Sequence, residues 1–136
     1  MPTLHIIIDQ ASNAAGTAHK FMQNMVSSRL VLSHYSFVSD NAETQPTIYV
    51  DLGFAQRKAY TDQNNGPRLA LPLSPGAQYT HNTINAELGT RNVVFERTFV
   101  PAVYTSRDGS TLFAGAGAPS AWELHLYFEY DVNVTY

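Results

Sequence analysis

From Trp122 to Val134, apolar and polar residues alternate without a break. Trp122, Leu124, Leu126, Phe128, Tyr130, Val132 and Val134 fall on one side; Glu123, His125, Tyr127, Glu129, Asp131 and Asn133 fall on the other. Successive side chains of a strand point to opposite faces, so a period of two over this length reads as a long β-strand with one buried face. Such a strand needs neighbours to pair with and a second layer to cover its apolar face.

The rest of the chain supplies both. The same alternation occurs at Ile48, Val50, Leu52 and Phe54, and again at Leu69, Leu71 and Leu73. Leu4–Ile8 and Leu30–Val38 are further strands. Between Val93 and Tyr104 apolar residues occupy both faces, which predicts a more fully covered strand bent near Pro101. Tyr, Phe, Val and Thr are abundant, as strands favour. The separators have turn chemistry: Ser39-Asp40-Asn41 opens a loop to Pro46, Asn64-Asn65-Gly66 supplies positive-φ positions, and Leu73-Ser74-Pro75-Gly76 and Arg107-Asp108-Gly109 are tight turns. Gly89–Asn92 is expected to close a hairpin between Ile84–Leu88 and Val93–Phe99. Thr17–Met25 reads as a helical turn or a short strand, and Ala77–Leu88 as strand or loop because Thr80, Asn82, Thr83 and Asn85 are poor helix formers. Seven or eight strands at this spacing predict an all-β fold, an antiparallel β-sandwich of jelly-roll type. With 136 residues and no internal repeat, the expectation is a single domain over 1–136.

Composition excludes several kinds of function. There is no cysteine, hence no disulfide framework, thiolate metal site or cysteine nucleophile. A net charge of −3 makes nucleic acid an unlikely partner. No apolar run approaches the roughly 20 residues of a membrane helix. The first nine residues lack the pattern of a secretion signal, so synthesis in the cytoplasm is expected and the Asn133-Val134-Thr135 sequon reads as chance.

No constellation for catalysis emerges, and the chain is expected not to be an enzyme and to need no cofactor. The five histidines, His5, His19, His34, His81 and His125, include no pair at i, i+2 or i, i+4, so no metal site is predicted. Glu123, Glu129 and Asp131 on one strand face read as a solvated face. No Gly-x-Ser-x-Gly elbow or phosphate loop is present. Ser33 and Ser36 lie inside a strand, where their hydroxyls are expected to bond locally.

The aromatic content is the stronger signal. Eight tyrosines and seven phenylalanines exceed what one small core absorbs, and charged residues are only 14% of the chain. Aromatic surface and low charge suit a protein covered by partners, through strand edges and exposed tyrosines such as Tyr49 and Tyr127. The residues expected to carry contacts are Arg57, Lys58, Tyr60 and Arg68 around the 60–67 loop, with Tyr104 and Arg107 in the 104–119 segment. A carbohydrate- or receptor-binding module is the alternative, since exposed Tyr and Trp beside Asn, Asp and Gln also suit sugars.

The order of elements adds a resemblance. Leu4-His5-Ile6-Ile7-Ile8-Asp9 is followed by a polar loop with Ser12-Asn13 and an apolar segment from Phe21 to Met25. Then come Arg29-Leu30-Val31-Leu32-Ser33-His34-Tyr35-Ser36-Phe37, Thr47-Ile48-Tyr49-Val50-Asp51-Leu52-Gly53 and Leu124-His125-Leu126-Tyr127-Phe128-Glu129-Tyr130-Asp131. This resembles the small β-sandwich minor capsid or vertex proteins of tailless icosahedral double-stranded DNA viruses: virophages, polinton-like viruses and large algal viruses. The resemblance implies a structural virion protein, made in the host cytoplasm and assembled as many copies with other capsid proteins. It carries over no catalytic residue.

Overall fold

The computed structural model describes residues 3–17, 19–20, 25–51, 68–74, 76–95, 98–99, 101–105, 109–116 and 121–130. These form nine strands and one short helix: β1 (Thr3–Asp9), α1 (Gln10–Ala15), β2 (His19–Lys20), β3 (Met25–Glu43), β4 (Thr47–Asp51), β5 (Arg68–Pro72), β6 (Ala77–Phe95), β7 (Thr98–Phe99), β8 (Ala102–Thr105) and β9 (Trp122–Tyr130). All pairing is antiparallel. One sheet has the order β1-β9-β3-β6, a second the order β5-β4-β8, and β2 pairs with β7.

The alternation that announces β9 sets its place. Trp122, Leu124, Leu126 and Phe128 are buried at 2% exposure or less and face inward with Ile6 and Ile8 of β1 and Leu32, Tyr35 and Phe37 of β3. Ile48 and Val50 of β4, Leu71 of β5 and Val103 of β8 belong to the same cluster, so the two main sheets share one core, the arrangement of an all-β sandwich. Tyr35 ties them together. Its hydroxyl donates to the Pro72 carbonyl of the other sheet and accepts from Asn82 Nδ2 at 2.8 Å. Burial pushes the phenol above its ordinary pKa, and the Asn82 bond offsets part of that rise.

Three expectations need correction. No hairpin closes at Gly89–Asn92: β6 runs unbroken through it, with Gly89 opposite Leu30 and Thr90 opposite Arg29. Pairing with the 19-residue β3 resumes at Val93 after a register shift, so the turn signal at Gly89–Asn92 becomes an irregularity inside a continuous strand. β3 likewise continues through Ser39-Asp40-Asn41 to Glu43, with Ser39 opposite Trp122 of β9 and Asp40 N–H donating to the Ala121 carbonyl while its register with β6 jumps from Val38 to Glu43, and the loop to Pro46 is shorter than expected. Long pairing is accommodated by register shifts, one between Leu32 and His34 where Ser33 is the extra residue against β9 and the 84–85 stretch of β6 carries the extra residue against β3. Asn85 on the facing stretch of β6 has φ 49°, a left-handed conformation that asparagine tolerates better than most residues.

The polar loop expected around Ser12-Asn13 is instead α1. Asp9 caps it: Ser12 N–H donates to Asp9 Oδ1 at 2.7 Å and Asp9 N–H donates to Ser12 Oγ at 2.9 Å. Gly16 at φ 67° ends it. Asn13 then reaches the other sheet, where its Oδ1 accepts from Val103 N–H at 2.8 Å and its Nδ2 donates to the carbonyls of Val103 and Phe113 at 3.1 and 3.3 Å. The Trp122 indole N–H donates to Gln10 Oε1. These contacts hold α1 against the end of the four-stranded sheet.

Candidate functional site: the outer face of the four-stranded sheet

Inward placement of the apolar residues forces the others outward. Across β1, β9, β3 and β6 the register lines up three rows on the outer face: Asp9, Glu123, Val38 and Tyr79; then Ile7, His125, Ser36 and His81; then His5, Tyr127, His34 and Thr83. Four of the five histidines, one from each strand, meet on this grid. His19 lies in β2, outside this sheet.

Adjacent strands lie about 4.8 Å apart, close to the distance at which aromatic rings stack. Rings in one row therefore stack. Tyr127 lies between His5 and His34, with centroids 4.3 and 4.2 Å away and interplanar angles of 12° and 13°. The His34 ring is tilted against His81 at 5.5 Å.

Hydrogen bonds fix most of the imidazoles. His125 Nε2 is 3.1 Å from Glu123 Oε2, and His125 Nδ1 is 2.9 Å from His5 Nε2. An ionised carboxylate only accepts, so His125 presents Nε2–H to Glu123 and its Nδ1 accepts from His5 when both rings are neutral. The pair tolerates one added proton. A second would set two N–H groups, and two cations, against each other. His5 accordingly titrates below the ordinary value of 6.5, first through partial burial of its ring, then through His125 and His34. His34 Nδ1 lies 2.9 Å from Ser33 Oγ, which donates to the Tyr127 carbonyl at 3.1 Å. His81 Nδ1 lies 2.8 Å from Ser36 Oγ; against the expectation of local bonding, Ser33 pairs with its neighbour His34 but also bonds across to β9, and Ser36 bonds across to β6.

At one end the face runs into a groove of about 690 Å³ between α1 and the ends of β3 and β9. Asp9, Gln10, Ala11 and Ala14 line one side; Val38, Ser39, Asp40, Ala121, Trp122 and Glu123 line the other. Ile7, Val38 and Tyr79 on the grid are 43%, 42% and 57% exposed. Among the described residues no group of three or more His, Asp or Glu is arranged to hold a metal ion.

The residues expected to make contacts lie elsewhere. Tyr104 is in β8, half-buried and opposite Tyr49 of β4, and Arg68 opens β5 opposite Asp51. Both belong to the three-stranded sheet, on strands either side of β4. Arg57, Lys58, Tyr60 and Arg107 lie outside the described residues. The histidine face escapes a spacing search because its members are 29 to 120 positions apart in sequence, a span that follows from their numbers. The one signal for it is that His5 and His125 each stand between apolar residues on strands, at positions that must face outward, while His34 reaches the outer face through the register shift at Leu32/His34.

No protein-family model and no curated protein matches this sequence.

Proposed function

We propose that this chain is a structural virion protein, a minor capsid or vertex component that assembles with copies of itself and with other capsid proteins. The observation that carries this reading is the distribution of strands. β1, β3, β6 and β9 share one sheet, and the strands between them in sequence belong to the other layers. β2–β7 and β5-β4-β8 supply these other strands, and the order β2, β7, β8, β4, β5 follows if the two small sheets belong to one layer, with β7 and β8 as the strand the sequence predicts to bend near Pro101. The chain then alternates between sheets as an eight-stranded jelly roll does, an architecture widely used in capsids.

A fold alone hosts many functions, and the surface adds a second support. Of the grid's twelve positions only Asp9 and Glu123 carry carboxylates, while Ile7, Val38 and Tyr79 expose apolar area. A face poor in charge and bearing aromatic and aliphatic groups suits contact with protein. It suits a sugar less well. Stacking on a pyranose needs an open ring face, and both faces of Tyr127 are covered by imidazoles.

Native mass tests the reading. Light scattering on the purified chain, with stoichiometric mass spectrometry of virus-like particles, is expected to find oligomers or incorporation at a fixed copy number. A chain that stays monomeric at high concentration and never enters particles would rule it out.

A further inference from the structure

We propose that the groove between α1 and the ends of β3 and β9 seats a lysine or arginine side chain of a partner protein, carried on a segment with apolar neighbours. This rests on the reading of the chain as a protein that works through protein contacts, and it names the chemistry of one such contact. Ala11, Ala14, Val38, Ala121 and Trp122 form the groove's apolar surface. Asp9, Asp40 and Glu123 stand among its lining, and among the described residues no lysine or arginine does. A long basic side chain matches both: its methylenes lie along apolar surface while its charged head reaches carboxylates.

The carboxylates are already positioned. Asp9 is held by the Ser12 N–H and Glu123 lies against His125. Asp40 Oδ1 accepts from Asn41 Nδ2 at 3.3 Å, and its backbone is tied by N–H to the Ala121 carbonyl at 2.9 Å and by its carbonyl to Gln78 Nε2 at 2.8 Å. Acceptors fixed before binding lose little freedom on meeting a cation. The volume of about 690 Å³ is that of an ordinary binding pocket, roughly 300–1,000 Å³. Three carboxylates disfavour phosphate or nucleic acid. The flanks of the incoming segment also find partners, since Ile7 is two residues from Asp9 along β1 and Tyr79 lies opposite Val38.

The test uses a capped pentapeptide with arginine at its centre and leucine on either side, against the same peptide with norleucine at its centre. Binding is read from amide shifts in ¹⁵N spectra and from emission of Trp122, the single tryptophan. The arginine peptide is expected to shift Ala11, Ala14, Val38 and Trp122 and to weaken as salt is raised. The Asp40→Asn/Glu123→Gln double variant, nearly isosteric, should bind it roughly tenfold less tightly. Ala14→Leu should fill the groove and abolish the shifts with the carboxylates intact. An unchanged near-ultraviolet circular dichroism spectrum shows that both variants fold. Equal binding of the norleucine peptide, or shifts outside the groove, overturns the proposal. So does a concentration series of the chain alone that shifts the same amides, because the occupant is then a second copy. A chain that binds the arginine peptide but never assembles keeps the groove's role and removes the capsid reading.

Discussion

His5 shows how much of this surface is set by one proton. Its Nε2 faces His125 Nδ1, and Glu123 holds the far side of His125. Because the folded state lowers the His5 pKa, the unfolded chain binds more protons just below 6.5. The stability His5 contributes is therefore full above 6.5, falls as pH drops below it, and is lost once pH passes the folded pKa. Titration of the ring protons by NMR should place the His5 midpoint below 6.5, and His125→Gln should move it upward by removing a like charge. A midpoint unmoved by that change would show that His125 does not act on it. Asn13 is the buried counterpart. It makes three hydrogen bonds to the backbone at Val103 and Phe113, from a position 4% exposed. Asn13→Ala takes away the partners of Val103 N–H and the Phe113 carbonyl, while the Val103 carbonyl keeps Phe113 N–H, and is expected to cost about 3 kcal/mol in denaturant unfolding.

At the scale of elements, β3 and β6 are long and irregular, and their irregularities are what align the grid. The shift at Leu32/His34 puts Leu32 and Tyr35 on the inner face and His34 beside Tyr127 on the outer one, three residues where strict alternation has two. Asn85 with its positive φ lies on the stretch of β6 that faces this shift. Asn85→Val should destabilise the fold by about 1–2 kcal/mol and Asn85→Gly should not, as measured by thermal or urea unfolding. Helix α1 depends on its cap. Asp9→Ala removes the acceptor for Ser12 N–H and should cost about 1 kcal/mol. Since α1 forms one wall of the groove, the same change should broaden the amide resonances of Ala11 and Ala14.

For the whole molecule, the core and the contact face can be separated experimentally. Tyr35 bridges the two main sheets from a fully buried position. Tyr35→Phe keeps the ring and removes the hydroxyl's bonds to the Pro72 carbonyl and Asn82, leaving that carbonyl only the longer bond from Asn82 Nδ2 at 3.4 Å, an expected loss of about 1–3 kcal/mol. Native mass should not change, because the hydroxyl never reaches the surface. Changes on the grid should do the reverse. Val38→Glu and Tyr79→Ser alter exposed side chains, should leave unfolding free energy within about 0.5 kcal/mol, and should reduce incorporation into particles. Incorporation at the wild-type level would move the contact surface off this sheet.

Strand character was legible along the chain because the side-chain period of a strand is a local property. The alternation of Trp122–Phe128 and of Ile48–Val50 identifies both the elements and the residues that fill the core. Strand ends were less legible. At Gly89 and at Ser39-Asp40-Asn41 the local turn signals are real and surface as register shifts, but pairing that resumes beyond each of them keeps the strands continuous. The histidine face could not be read at all. It depends on which strands become neighbours and in which register, and a one-residue slip would send His5, His34 or His125 to the opposite face. Their meeting is a product of long-range pairing; the outward direction of His5 and His125 is already implied by the apolar residues on either side of each, whereas that of His34 depends on the shift at Leu32/His34.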